Sequence, residues 1–527
     1  MKRILILFLC LCLAASCFAG CAAEDTPYIP TGDALMPEDA DLTATAPKDE
    51  SVKQELTLAY YAERELNPFR STDFTNRVLF SLIYQGLFTY NENYEPVPLL
   101  CEKYRANADN RTYTVYLDKS ATFSDGTPVT NADVIASVTA AKNSRYYGGR
   151  FTHLLKYEET EDGGIAFYLR LSVEDFPILL DFPIVKADQV EADRPLGTGP
   201  YILENSLAGA QLRRSPYWWC QSPDLLVTAS SIPLVAVESA TQIRDEFEFR
   251  DVGLVLADPC SDTYADFRCD LELWDCDNGT MLYIGCNVGY SNEDIFKDDT
   301  LRKVLTYAID REKLVADHYN GFGRPATLAM DPGYPYYSES LARKYAYDPK
   351  RFEEAVRNIK QPREEPLEFL VNADDSLRLR VAKDIVEMLT DGGLNVVLVE
   401  LRNSEFIAKI KAANYDMYLG ATRLSPNMDL SPFFRTWGNL SWGAIADEEI
   451  FELCQDALEN HGNFPNLHKA VADDGSIVPV LFYNYAIYAT RGLLTDLKPV
   501  RDNTFFYTLG RTDADAFIPI DYHNAAG

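Results

Sequence analysis

Five histidines, His153, His318, His461, His468 and His523, are the side chains best suited to proton transfer or metal ligation near neutral pH. They are scattered. Only His461 and His468 fall close together, and Gly462 and Pro465 between them break the helical face that a metal pair would share. The run Cys260, Cys269, Cys276, Cys286 lacks the tight CxxC spacing of a zinc site. In an exported protein these four either form one or two disulfides or stay as buried thiols. Cys101, Cys220 and Cys454 bring the set beyond Cys21 to an odd count, which cannot all pair within one chain. There is no GxSxG nucleophile elbow, no HExxH and no phosphate-cradling loop, and Gly197-Thr198-Gly199 lacks the spacing of a dinucleotide turn. Asp and Glu are plentiful enough for a carboxylate-pair hydrolase, yet nothing singles out a pair. None of these patterns singles out a catalytic centre, and no cofactor and no metal are expected.

The N-terminus predicts that the protein works outside the cytoplasm. Lys2 and Arg3 precede an unbroken apolar run over residues 4–15, followed by Phe18-Ala19-Gly20-Cys21. A charged start, an apolar middle and a small-residue cleavage site make a secretory signal over residues 1–20. The run falls short of the roughly 20 apolar residues that span a bilayer. The pattern resembles a bacterial lipobox, in which Cys21 is lipidated and becomes the mature N-terminus. Leu13-Ala14-Ala15-Ser16-Cys17 is a second frame, and an ordinary signal peptide that happens to contain cysteines is the plainer alternative. Residues 21–54 are polar and Pro-rich and read as a flexible tether. A formal net charge of −31 argues against nucleic acid, whose phosphates call for clustered Lys and Arg. The 527-residue chain, 47% hydrophobic, is long enough for two or three packed lobes.

The body alternates strands and helices. Residues 55–61 and Thr112–Leu117 read as strands, the second with Tyr113, Val115 and Leu117 on one face. Asp125-Gly126 makes a turn, and Thr130 stands as N-cap with Asp133 three residues on. Val134, Val138 and Ala141 stripe the helix that follows. Residues 366–420 give the clearest pattern. Leu367, Phe369 and Val371 alternate as a strand, and Leu379, Ala382, Ile385, Val386 and Leu389 stripe a helix closed by Gly392-Gly393. A strand at Val396–Leu401, a helix marked by Phe406, Ile407 and Ile410, and a strand over 415–420 follow. Strand, helix, strand, helix, strand implies an α/β lobe with a mainly parallel sheet. Ligands of such lobes sit beyond the carboxyl ends of the strands, here residues 420–423.

Several segments, taken in order, resemble one known family. They are Asn67-Pro68-Phe69, Tyr84-Gln85-Gly86-Leu87-Phe88, residues 123–130 (FSDGTPVT) with Ala132-Asp133-Val134, and Gly197-Thr198-Gly199-Pro200-Tyr201. Leu301-Arg302-Lys303-Val304-Leu305, Ala308-Ile309-Asp310-Arg311, residues 320–326 (NGFGRPA) and Tyr347-Asp348-Pro349 continue the set. Together they look like the extracellular solute-binding proteins of family 5, the oligopeptide, dipeptide and nickel-binding components of ABC importers. The resemblance implies an α/β, bilobal periplasmic-binding-protein-like (Venus flytrap) fold with an extra subdomain inserted in the first lobe. It implies lobe I from residues 55–76, 189–286 and 484–527, the inserted subdomain at 77–188 and lobe II at 287–483. It further implies a monomer that takes a peptide or similar small polar solute, meets ABC permease subunits and is held to the outer face of the membrane by its N-terminal lipid. A surface receptor or sensor of the same fold is the alternative, and a secreted hydrolase the weaker one. Most of the motif residues are expected to be architectural, Ala308 to Arg311 above all.

The ligand residues are expected where this chain departs from the family. Peptide-binding relatives carry an Asp shortly after the strand matching 415–420, and it pairs with the peptide α-amine. Here Thr422 or Arg423 takes that place, and the first acid is Asp429. The planar fork of Arg423 suits a carboxylate or phosphate and cannot hold an ammonium. Alternatively it faces solvent or pairs within its lobe. Trp437 and Trp442 follow closely, either walling an apolar pocket or packing in the core. Asn287, after the strand over 281–285, is expected at the cleft or hinge.

Overall fold

The computed structural model describes residues 55–519, except 208, 221–223, 259, 265–266, 290–295, 298, 360–364, 443–444, 506 and 510–511. The signal, Cys21, the tether and His523 lie outside the described residues. No helix among the described residues is long and apolar enough to cross a membrane.

Two long strands organise the molecule. Leu271–Cys286 and Ile477–Thr490 run antiparallel along most of their length and carry nearly continuous apolar sequence toward their paired ends. Each is about 50 Å long at roughly 3.3 Å per residue. Their register breaks between Asp277 and Met281, where Asn278-Gly279-Thr280 inserts a bulge and Gly279 takes φ = 75°. On one side of the bulge, residues 271–277 pair with 484–490, and on the other, 281–285 pair with 477–482. The rest of an eleven-stranded mixed sheet is built outward from this pair. Met417–Arg423, Leu367–Asn372 and Val396–Leu401 extend it one way. Leu254–Ala257, Leu58–Tyr60, Ser231–Ala236, Gly209–Arg214 and Tyr201–Ser206 extend it the other way, and Gly323–Pro325 pairs beside Ile477–Thr490.

The hydrophobic cores change over at the same bulge. Leu58, Leu79, Leu100, Phe167, Ile232, Leu254 and Cys276 pack in one core together with Ile487. Leu282, Leu305, Phe369, Ile385, Leu419 and Val480 fill a second, and Tyr283, Tyr418, Phe433 and Phe482 a third on the opposite face of the same half-sheet. The molecule is therefore bilobal, one sheet threading both lobes. Within the first lobe an antiparallel sheet of Cys101–Ala106, Thr112–Leu117, Ile165–Leu169 and Leu154–Glu159 packs with the helix Asn131–Asn143. Thr130 and Asp133 form the expected capping box, and Val134, Val138 and Ala141 are fully buried. Thr114 is buried between Tyr113 and Val115 while Leu117 is only half-buried, because this sheet is covered on both faces near its centre.

In the second lobe the alternating pattern appears as expected, with helices at Ser376–Asp391 and Asn403–Lys411. Leu367–Asn372 pairs parallel with both its neighbours, as the pattern predicts. The sheet of this lobe is nevertheless mixed rather than mainly parallel, because Met417–Arg423 pairs antiparallel with Leu271–Cys286, which itself pairs antiparallel with Ile477–Thr490. Asp310 caps the helix Arg311–His318 by accepting from the Lys313 amide. Arg311 is buried without a carboxylate partner among the described residues, and its guanidinium donates to the carbonyls of Thr306, Ala326 and Pro479. Burial pulls its pKa down to about 10. The Ala308 to Arg311 motif thus ties three segments of one lobe together.

Candidate functional site

The bulge is sealed by charge. Arg501, almost fully buried, donates to Asp277 Oδ2 from Nη2 at 2.8 Å and to the Leu424 carbonyl from Nη1 at 2.7 Å. Its guanidinium lies over Gly279, where a Cβ would stand 1.9 Å from Arg501 Cζ. Burial raises the Asp277 pKa, and the Arg501 charge more than reverses that and holds it below the ordinary value. Tyr94 donates to the same carboxylate oxygen at 3.0 Å, and its ring meets Tyr334 of the second lobe at 4.5 Å. Beside it Arg324 holds Asp331 at 2.9 Å. Burial and the nearby Asp277 charge push the Asp331 carboxyl up.

A second cluster gathers four segments on one carboxylate. Asp502 accepts from Arg423 Nη2 at 3.1 Å to each oxygen and from Arg150 Nη2 at 3.2 Å. Arg77 Nε stands 3.6 Å away, and the Tyr146 hydroxyl also bonds Asp502. Arg150 in turn grips Asp181 through Nε and Nη2. Burial opposes ionisation of Asp502, but Arg423, Arg77 and Arg150 hold its carboxyl far below the usual carboxylate range. Arg423 also stacks over Tyr146 at 4.1 Å.

Two histidine–acid pairs close the seam farther out. His153 Nε2 meets Asp429 Oδ2 at 2.9 Å, and His461 Nε2 lies 3.3 Å from Asp175 with Glu174 at 3.8 Å from its Nδ1. The Glu174 amide donates to the Leu458 carbonyl, so backbone as well as side chains join here. Burial lowers the His461 pKa, and the Asp175 and Glu174 charges outweigh it to leave a net rise. Stability from a raised imidazole is fully present below the ordinary histidine pKa and is lost as pH rises through the raised one. His461→Gln is therefore expected to cost stability at pH 6 and to converge on the wild type by pH 9. Urea unfolding at the two pH values measures this, and an equal loss at both would refute it.

The predicted ligand residues are only partly brought together. Arg423 and Asp429 lie on the second lobe's side of the seam, each already engaged, Arg423 by Asp502 and Asp429 by His153 and the Ser431 amide. Thr422 is half-buried in the strand opposite Met281. Asn287 is buried, donating to the carbonyls of Ala413 and Tyr415, and so fixes the turn into Met417–Arg423. Trp437 is 89% exposed, away from both the core and the described cavities, and Trp442 is half-buried against the core of Tyr283. Cys260, Cys269, Cys276 and Cys286 are free thiols. His468 is buried with both ring nitrogens unpartnered among the described residues, and burial drives its pKa down to about 3. Asp502, Arg77, Arg150, Tyr146, Asp277 and Arg501 were not foreseen. Only the Asp277-Asn278-Gly279 turn signal inside an apolar strand marked any of them.

Buried ion pairs across two lobes and a hinge-like bulge suit capture of a polar solute. Known proteins agree. The family model "Bacterial extracellular solute-binding proteins, family 5 Middle" matches residues 95–443. The glutathione-binding protein GsiB of Salmonella choleraesuis (strain SC-B67) is 24% identical over 314 residues, 56% of this chain and 59% of that protein. The chain thus spans about three fifths of the length of this curated relative. The ABC transporter substrate-binding protein CtaP of Listeria monocytogenes superposes with a TM-score of 0.68 at 18% identity, covering 85% of this chain and 97% of that one. The oligopeptide-binding protein AppA of Bacillus subtilis, solved with a nonapeptide, gives 0.61 at 19% identity, covering 87% and 100%. These relatives are binding proteins, not enzymes, and at such identities the solved structures speak for the fold. With two thirds of its length matched by the family model, the chain belongs to the bacterial extracellular solute-binding proteins of family 5.

Proposed function

We propose that this chain is the solute-capturing lipoprotein of an ABC importer, taking a peptide or similarly sized polar solute between its lobes and delivering it unchanged to permease subunits. The observation that carries this reading is the bulge at Asn278-Gly279-Thr280, where both crossing strands pass between two separate cores. Such a junction lets lobes rotate while each core stays intact. The ion pairs of Arg423 with Asp502 and of Asp429 with His153 close the seam, so a solute enters between the lobes when they part. Parting frees Arg423 from Asp502 and Asp429 from His153. Arg423 then offers a bidentate fork to an anionic group of the solute, and Asp429 a carboxylate to a cationic one. The protein acts as a monomer without nucleic acid, tethered to the outer face of the cytoplasmic membrane through Cys21. The test is mass spectrometry of small molecules released from the folded, purified protein. A peptide-sized polar compound recovered intact is expected, and conversion of that compound on incubation would contradict the reading.

The anchor is tested separately. Stable attachment takes two acyl chains or more, since one gives only marginal binding. Cys21→Ala is expected to move the protein from the membrane fraction to the medium or leave it unprocessed. An unchanged membrane fraction with Cys17 intact would move the anchor to the upstream frame.

A further inference from the structure

The cavity beside the Asp502 cluster is lined by Arg77, Gln85, Arg501, Asp502, Asn503 and Tyr507, among others. Its polar atoms are unevenly satisfied. Gln85 is 1% exposed, and its Oε1 accepts from Trp219 Nε1 at 3.2 Å. An indole N–H only donates, so the amide orientation is fixed and Nε2 is a donor. That Nε2 has no partner among the described residues and lies near the Tyr507 hydroxyl, outside hydrogen-bond geometry. The Tyr507 hydroxyl and Arg77 Nε are likewise without a hydrogen bond among the described residues. Asn503 donates from Nδ2 to Thr89 Oγ1 at 3.2 Å and leaves Oδ1 unpartnered. Because a threonine hydroxyl donates or accepts, this amide turns over at little cost and presents N–H instead.

The acids of the wall are already spent. Both Asp181 oxygens are held by Arg150, and both Asp502 oxygens by Arg423, with Arg150 and Tyr146 adding to them. Within ion-pair reach Arg77, Arg150, Arg423 and Arg501 meet Asp181, Asp277 and Asp502, and Arg324 with Asp331 and Asp275 adjoins them at Asp277. An unmet donor in a water-poor site is costly, and the unpartnered Gln85 Nε2 and Arg77 Nε are donors. We propose that this cavity binds one small monovalent anion of chloride, formate or carboxylate size. The anion is either a free ion or the terminal carboxylate of the captured solute, and only the second source rests on the solute-binding reading.

The test is thermal unfolding of the full chain at fixed ionic strength, replacing sodium gluconate, too large for the cavity, by sodium formate or chloride. A saturable rise of about 1–3 °C is expected. Gln85→Glu places a carboxylate toward Arg77 and is expected to abolish the response, as is Gln85→Leu, which removes the donor without adding charge. No ion-specific rise in the wild type, or an undiminished rise in both variants, would overturn the proposal. Bromide diffraction from wild-type crystals keeps the question open to decision if the variants do not fold, since a bromide peak in the cavity supports the site and water alone rejects it. Saturating peptide with a free C-terminus removes the formate response if the solute supplies the carboxylate. Peptide amide leaves that response in place, as do both peptides if the ion is free. A peptide that does not bind beside an intact formate response counts against the solute reading and leaves the anion site standing.

Discussion

Replacing Asp502 with alanine is expected to lower stability by about 3–5 kcal/mol, the usual cost of removing one partner from a buried ion cluster. The loss comes less from the missing bonds than from what remains, since Arg77, Arg150 and Arg423 would then face one another with no carboxylate between them. Removing a guanidinium as well should relieve part of that repulsion. The double variant Asp502→Ala with Arg423→Ala is therefore expected to be less destabilised than the two single losses added together. Urea unfolding midpoints of the four proteins measure this coupling. Simple additivity, or a single-variant loss below about 1 kcal/mol, would show that Asp502 does not bind the cluster together.

Gly279→Ala should produce the second large effect. The φ of 75° costs an alanine about 1–2 kcal/mol by itself. Its Cβ would also displace the Arg501 guanidinium, and with it the bonds to Asp277 and Leu424 that seal the bulge. A variant with lowered stability and a seam more open to hydrogen exchange at residues 276–282 is expected. Wild-type exchange protection there, together with wild-type stability, would mean that the bulge tolerates a side chain and that Arg501 is not seated on it.

The parts of the fold legible in the sequence were those set by local rules. Thr130 with Asp133, the stripe of Ile385 and Leu389, and the strand Val396–Leu401 follow from capping, period and β-branched content, all short-range. The long strand Leu271–Cys286 was read short, as residues 281–285, because Asp275 and Asp277 interrupt the apolar run with charge. Those charges belong to the seam, where an acid next to a buried arginine replaces an apolar residue. The site was less legible for the same reason. Asp502 meets Arg77 across more than four hundred residues of chain, and nothing near either residue announces the other. Arg423 was singled out as an anion holder, and the structure places a carboxylate on it, supplied by the chain's own Asp502.

The central claim is that the two lobes close on a solute about the Asn278-Gly279-Thr280 bulge. Small-angle X-ray scattering of the soluble chain, first stripped of bound compound by partial unfolding and refolding and then saturated with the compound recovered from the native protein, tests it most directly. A ligand that binds the closed form better shifts the population toward it, so a smaller radius of gyration with solute than without is predicted. An identical radius at saturation, with binding verified on the same sample, would contradict the account.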